Sequence, residues 1–371
     1  MKKTLFVTPN DISDKANGGN IVSKRNLSVL IAIFGSDNIT CLQLLTRKDK
    51  AKPIVSLKER LHGYFAGLTV GELERILMIA DEYDYIFLDT SLYGKLAKEL
   101  KQAGYHGTII TFYHNIEYVF YRNLSTLISM TYPLTLYPIR KVEKEAATFS
   151  DLNITLNKRD ASKLDEYYNG KSTLQLPVSL GAGTVSGTNR THIAGTPVRL
   201  LFLGSAFFAN IHGIKWFIEN VFPWTKANLV IAGKGMECLA SYIASKKLEG
   251  ISLHGYVEDI GAMYENADAV VLPIFEGSGM KVKTCEALKY GKLVLGTDEA
   301  LTGYGSGNED YLKHCNTREE FISCINILTN KTYKTFSEES RGYFLLEHET
   351  DKIVVRLKDC LSSMGARSKH R

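Results

Sequence analysis

Pro273-Ile274-Phe275-Glu276-Gly277-Ser278-Gly279-Met280-Lys281-Val282-Lys283-Thr284-Cys285-Glu286-Ala287-Leu288 follows directly on the apolar run Ala269-Val270-Val271-Leu272. A short, unbroken apolar run of this kind reads as a strand buried on both faces, as in a parallel sheet. The glycines and Ser278 then make a turn, and the residues after Lys281 have helical composition. Strand, glycine turn and helix in that order suit a phosphate. Glycine lets backbone approach an anion, and a helix start offers unpaired N–H groups and the positive end of the dipole. Lys281 and Lys283 fall in the turn and the first helical turn, where they can add positive charge beside a diphosphate. Glu286 comes about two turns later, where a carboxylate can accept hydrogen bonds from sugar hydroxyls. In isolation the segment also reads as a structural strand–turn–helix with solvated lysines. Its continuation into Tyr290-Gly291-Lys292-Leu293-Val294-Leu295-Gly296-Thr297 makes the string more specific.

Outward from this segment, apolar runs alternate with amphipathic helical stretches, the pattern of parallel sheets with helices on both faces. In the first half the runs lie at 5–8, 39–45, 85–88, 108–113 and 152–156; in the second at 198–203, 229–232, 251–253, 269–272 and 293–295. Between them, Gly181-Ala182-Gly183-Thr184-Val185-Ser186-Gly187-Thr188-Asn189-Arg190-Thr191-His192-Ile193-Ala194-Gly195-Thr196-Pro197 is polar and glycine-rich and reads as a linker or long loop. The division expected is a first α/β domain over 1–178, a second over 198–345, and a C-terminal helix with a basic, frayed tail over 346–371. Two such domains facing a central cleft would bring the C-terminal strand ends of both sheets around one site.

The bulk properties agree with a soluble globular protein. The chain has 371 residues, 44% of them hydrophobic and 23% charged, enough for two cores. The net charge of +5 is mild and the basic residues are interleaved with acids, which argues against nucleic acid. It suits anionic lipid or phosphorylated substrates. Cys41, Cys238, Cys285, Cys315, Cys324 and Cys360 are scattered, with no Cys-x-x-Cys pair. Free thiols in a reducing cytoplasm are the expectation. Met1-Lys2-Lys3-Thr4-Leu5-Phe6-Val7 is too short in its apolar part for a signal peptide and reads as a first strand. No apolar run reaches the roughly 20 residues that span a bilayer.

Two further strand-end loops carry polar chemistry. Asn10 to Asn20 follows the first run and contains Gly18-Gly19 just before a helical stretch starting near Ile21. The glycines either admit a substrate or make an ordinary tight turn. His114, in Thr111-Phe112-Tyr113-His114-Asn115-Ile116-Glu117, stands just past a strand. It either bonds a reacting sugar or phosphate or caps the next helix. Gly233-Lys234-Gly235 is another strand-to-loop turn, and Trp216 and Phe217 fit a helical core face. The aromatic, basic stretch 118–144, with Tyr121, Arg122, Tyr132, Tyr137, Arg140, Lys141 and Lys144, is either a half-buried helix face or a membrane-surface contact. The chain has no Asp-x-Asp pair of the kind that holds a divalent ion under a nucleotide diphosphate, which favours lysines and a helix end for that charge.

On these residues the chain resembles the retaining glycosyltransferases of the GT-B fold, the family 4 (group 1) enzymes. Leu200-Leu201-Phe202-Leu203-Gly204-Ser205, then Asn210 and Ile214-Lys215-Trp216-Phe217, is similar to the opening of that family's donor domain. Leu229-Val230-Ile231-Ala232-Gly233-Lys234-Gly235 is similar to its second strand. His254-Gly255-Tyr256-Val257-Glu258-Asp259-Ile260, with Met263-Tyr264 and Ala267-Asp268-Ala269, resembles the segment whose backbone meets the nucleotide base. Glu286-Ala287-Leu288 with Gly291 resembles the end of the donor-binding E-x7-E motif. Ser278 stands where the common motif has its first Glu, and Ser205 and Asn210 fall near its usual Arg and Lys pair. A subgroup with Gly-Ser-Gly-x-Lys/Arg-x-Lys shows both departures together.

The resemblance implies transfer of a sugar, with retention, from a nucleotide-diphosphate sugar to a hydroxyl of a glycan or lipid-linked acceptor, as in bacterial surface polysaccharide assembly. It implies a cytoplasmic enzyme, peripheral to the inner membrane surface, with no cofactor and no metal. By residue, it implies that Glu286 binds ribose and that Ser278 to Lys281 meet the diphosphate and donor sugar. Lys281 and Lys283 replace the missing cations, and either Ser278 or Glu276 takes the donor-sugar contact. Gly18 and Gly19 resemble the glycine loop at the cleft, and His114 the histidine near the anomeric centre. The donor side then comprises Gly204, Ser205, Gly233, Lys234, Tyr256, Val257, Glu276, Gly277, Ser278, Gly279, Met280 and Glu286. A sugar-nucleotide epimerase of related fold and a catalytically silent glycosyltransferase-like subunit are the alternatives.

Overall fold

The structure, a computed structural model, describes residues 2–13, 18–44, 58–128, 133–185, 190–305 and 309–368. It divides into two compact units, Met1–Pro177 with Asp351–Arg371, and Val178–Thr350.

The first unit is built on β1 (Thr4–Thr8), β2 (Ile39–Gln43), β3 (Tyr85–Leu88), β4 (Thr108–Tyr113), β5 (Leu152–Thr155) and β6 (Leu174–Gln175). Every pairing is parallel, in the order β2-β1-β3-β4-β5-β6. The central strands β1, β3 and β5 are buried along their whole length, as a sheet covered on both faces requires, whereas edge strand β2 is half-buried or exposed at every position. Leu5, Val7, Ile86, Leu88, Ile76, Leu96 and Leu100 form a core beneath one face.

The second unit repeats the plan with β8 (Val198–Leu203), β9 (Ala227–Ala232), β10 (Ile251–His254), β11 (Ala269–Leu272), β12 (Leu293–Gly296) and β13 (Leu312–His314), all parallel, in the order β10-β9-β8-β11-β12-β13. The order reverses between β8 and β11, the position at which open α/β sheets bind ligands. In the first unit the equivalent reversal lies between β1 and β3.

The segment expected to link the domains is instead stitched into the second unit. Val178 and Ser179 are buried, and Leu180 bridges to Glu349. Thr191–His192 is strand β7, antiparallel to β14 (Tyr333–Lys334). Arg190 and His192 both face the buried carboxylate of Asp268. These ties are backbone and polar, so a stretch without an apolar run holds its place. Residues 186–189, 14–17 and 369–371, within the expected linker, glycine loop and tail, lie outside the described residues, as do Leu45 and Tyr132. The last helix, Thr350–Ser368, buries Ile353, Leu357 and Leu361 at one-turn spacing, and from Asp351 on it groups with the first unit.

Candidate functional site

In the second unit the loops after β8, β9 and β10 lie side by side. Gly204 N–H donates to Ala232 O at 2.9 Å, Ala206 N–H to Lys234 O at 2.9 Å, and Gly233 N–H to Gly255 O at 2.9 Å. Gly233 has φ of +139°, and a methyl there would overlap the Gly204 carbonyl, so this seam admits only glycine.

Side-chain caps are unevenly distributed over the helix starts of the second unit. Helices Ile260–Asn266, Asp298–Leu301, Arg318–Thr329 and Glu338–Tyr343 begin on Asp259, Thr297, Thr317 and Ser337, each of whose side chains accepts a backbone N–H of its helix. Helices Phe208–Asn220, after β8, and Val282–Lys289, after β11, begin on Phe207 and Lys281, neither of which makes a side-chain cap. Their first-turn N–H groups lack a side-chain cap, as do those of Ala240–Lys246, which begins on Leu239 after β9; two of these three uncapped starts stand at the loops flanking the reversal.

Lys283, in the first turn of Val282–Lys289, reaches toward β8. Its ammonium donates to Asn210 Oδ1 and lies over the Phe202 ring, 5.3 Å from the centroid. Asn210 Nδ2 in turn donates to Ser205 O at 2.8 Å. A Cβ on Gly204 would stand 2.9 Å from Lys283 Nζ, so this glycine leaves room for the ammonium. Burial, reinforced by the neighbouring Lys281, pushes Lys283 down to about 7, against the opposing pull of Glu286.

Glu286, one turn further on, accepts from Tyr264 Oη at 3.1 Å. Tyr264 is fully buried and stacks on Tyr290 at 4.8 Å with planes 9° apart. Burial lifts Glu286 to about 7, opposed by the Tyr264 hydroxyl and by Lys283 and Lys289. Burial thus pushes a carboxylate up and an ammonium down, one turn apart at the reversal.

Lys281 stands differently from Lys283. Its ammonium donates to Ser278 O and Gly279 O, both at 3.0 Å, and pairs with Glu299 at 2.6 Å. The sequence reads the two lysines as a pair on one anion; in the structure Lys281 folds back on its own loop. Gly277 and Gly279 have φ of +142° and +64°. Glu276, the other candidate for a donor-sugar contact, pairs with His212 at 3.1 Å. Met280 and Gly279 are buried, Ser205, Val257 and Ser278 half-buried, and Lys234 and Tyr256 exposed.

In the first unit the reversal is organised by Asp89, at the end of β3. This fully buried carboxylate accepts from Thr8 Oγ1 at 2.7 Å and Asn26 Nδ2 at 2.7 Å. His114, past β4, sets Nε2 3.0 Å from Asp89 O and 3.4 Å from Asp89 Oδ1. Asn10 donates to Ser23 Oγ at 2.8 Å. Gly18 and Gly19 form the first turn of helix Gly18–Phe34, which starts three residues earlier than expected. Both are therefore helical residues rather than part of a tight turn.

Sequence reasoning missed Asp89, Asn26 and Glu299, and named Tyr264 only within the base-contacting segment, not as the partner of Glu286. Asp89 carried a signal, an acid directly after an apolar strand. Tyr264 and Glu299 act through partners 22 and 18 residues away, a pairing that no local pattern marks.

Residues 197–331 match the family profile of the glycosyl transferases group 1. No curated protein sequence matches the chain. Among solved structures, HepE from Anabaena in complex with UDP superposes with a TM-score of 0.68 at 15% identity, covering 98% of this chain and all of that one (100%). The α,α-trehalose-phosphate synthase (UDP-forming) from Burkholderia xenovorans superposes with a TM-score of 0.61 at 9% identity, covering 98% and 100%. TarM gives 0.54 at 12% identity, over 78% of this chain and 58% of that one. These structures share the two-sheet α/β plan, and the profile covers the second sheet together with the helix that carries Lys283 and Glu286. Residues 197–331 of the second unit thus match a group 1 glycosyltransferase profile, and the chain has the GT-B fold.

Proposed function

We propose that the protein transfers a sugar, with retention of anomeric configuration, from a uridine-diphosphate sugar to a hydroxyl of a glycan or lipid-linked acceptor. The observation that carries this reading is the pair of uncapped helix starts flanking the β8–β11 reversal, with the Lys283 ammonium between them. That combination suits a diphosphate, and HepE has been captured with UDP and with UDP-glucose. Glu286 accepts the ribose hydroxyls, oriented by Tyr264. Lys283 gains most as the sugar–phosphate bond breaks, because negative charge then builds on the diphosphate in a site already arranged for it. With the diphosphate oxygen helping to deprotonate the acceptor, the protein supplies position and charge rather than a strong nucleophile.

Charge neutralisation on the diphosphate falls to the Lys283 ammonium and the two helix starts beside it. Among the described residues no three His, Cys, Asp or Glu side chains gather as a metal-holding group. None of the described helices is long and apolar enough to cross a membrane. Peripheral contact with an anionic surface is supported by Tyr137, Arg140, Lys141 and Lys144, exposed and at helical spacing on Pro133–Phe149.

The test is a thermal-shift screen of nucleotides followed by product analysis with UDP-sugars, since a ligand raises stability with occupancy. UDP release together with a glycosylated acceptor is the expected result. Epimerised sugar nucleotide would favour an epimerase, and UDP-sugar binding without turnover a silent subunit.

A further inference from the structure

We infer that Glu299 is a positioning residue that, through Lys281, fixes the shape of the glycine loop 276–281 on which the donor diphosphate sits. The inference rests on the reading of that loop given above and reassigns one of its two lysines.

A lysine ammonium has three N–H donors and no acceptor. Lys281 directs its ammonium at Ser278 O, Gly279 O and Glu299 Oε1, at 3.0, 3.0 and 2.6 Å. Two of these acceptors are carbonyls of the loop itself. A Cβ on Gly277 would come within 3.3 Å of Nζ, so the ammonium packs on the glycine face of the turn. Glycines at 277 and 279 would otherwise leave this backbone with more conformational freedom than any other residues allow. Lys281 removes that freedom, and Glu299 removes it from Lys281. Both side chains are mostly buried, 13% and 18% exposed, so the pair is screened less than a surface one.

The loop is also backed by the segment after β12. Thr297 Oγ1 donates to Ile274 O, and Thr297 N–H to Leu272 O at 3.2 Å. Thr284 Oγ1 donates to Ala300 O at 2.8 Å, and Tyr304 Oη to Lys281 O at 2.7 Å. Four neutral bonds hold the two ends of the loop. The Lys281–Glu299 pair is what reaches the carbonyls at its middle.

Bracing and direct contact differ in sign. If Lys281 touched the diphosphate directly, Glu299 would compete for it, and neutralising Glu299 would leave UDP binding unchanged or tighter. As a brace, Glu299 is needed as much as Lys281, and either loss frees the same loop.

Hydrogen exchange of the peptide containing 276–281 in the ligand-free full chain, with UDP calorimetry in parallel, separates these for Glu299→Gln, Lys281→Met and the double variant. The brace predicts exchange about tenfold faster in each single variant, with little added in the double, because the pair acts as one unit. UDP affinity falls about tenfold in each single variant as preorganisation is lost. Unchanged loop exchange in Glu299→Gln, or UDP binding there as tight as wild type while Lys281→Met weakens, overturns the inference. Exchange in β8 and β9, strands of the same unit, reports whether each variant is folded, and Glu299→Asp replaces Glu299→Gln if that variant is not. A wild-type chain that binds no UDP rejects the donor reading, and the exchange data still decide the brace.

Discussion

Asp89 and Glu286 are both carboxylates at the strand-order reversal of a parallel sheet, and the two units treat them in opposite ways. Asp89 is fully buried and answered within its own unit by Thr8, Asn26 and His114. Glu286 is half-buried, with the Tyr264 hydroxyl as its side-chain donor, and is lifted to about 7 beside a lysine lowered to about 7. A carboxylate with its donors in place is a rigid fixture. A carboxylate and ammonium both held near neutrality gain from a ligand that restores their charge. The first unit is thus arranged for geometry and the second for response to an anion.

The contrast breaks most sharply at Lys283. Lys283→Ala should lower turnover by about 10²–10³, the scale of losing one preorganised electrostatic stabiliser. A solvated lysine would cost less than about twofold, since exposed charges are worth little. Steady-state kinetics, with folding checked by circular dichroism, separates the two.

Glu286→Gln comes next. It keeps the shape and removes the charged acceptor, and should weaken UDP binding by about 1.5–3 kcal/mol, the range for hydrogen bonds to charged groups. Unchanged affinity in calorimetry would remove Glu286 from the ribose contact.

Acidity sharpens the comparison further. Lys283 must be protonated to meet a diphosphate and Glu286 ionised to accept from ribose. With both near 7, UDP affinity should peak near neutrality, falling above pH 7 as Lys283 loses its proton and below it as Glu286 gains one. Each limb is limited to about tenfold per pH unit for one proton. Lys283→Met should flatten the alkaline limb and Glu286→Gln the acid limb. An affinity independent of pH between 6 and 8 would count against both assignments.

In the first unit the effect should fall on stability rather than on nucleotide. Asp89→Asn turns an acceptor of two hydrogen bonds into a group that must also donate, costing about 1–3 kcal/mol in urea unfolding. UDP affinity should stay within about twofold, because the hydrogen bonds lost from Asp89 are to Thr8 and Asn26 of its own unit. The smallest effect expected is that of chelation. Turnover in EDTA should stay near its starting value, and loss restored by Mg²⁺ or Mn²⁺ would show that a metal carries charge assigned here to Lys283.

Much of the fold was legible because central strands announce themselves. Runs at 85–88, 108–113, 198–203 and 269–272 coincide with β3, β4, β8 and β11, whose burial on both faces demands unbroken apolar sequence. Leu174–Gln175 and Leu312–His314 at the sheet edges were missed, since an edge needs few apolar residues. At the site, the places of Lys283 and Glu286 could be read from a strand, a glycine turn and a helix. The direction of Lys281 could not, because it depends on Glu299 beyond the next strand. The paired glycines at 18 and 19 misled for a related reason: composition suggests a turn, while their backbone is helical.

The first unit is discontinuous along the chain, closed by Asp351–Arg371 after the whole of the second. During synthesis, residues through Pro177 leave the ribosome well before the helix that completes their unit. At about 5–20 residues per second the wait is on the order of 10–40 s, far longer than a small α/β domain needs to fold. The second unit, uninterrupted, can therefore finish first although it starts later. A stop codon placed just before residue 351 would spare the sheet bearing Lys283 and Glu286 and damage the one bearing Asp89.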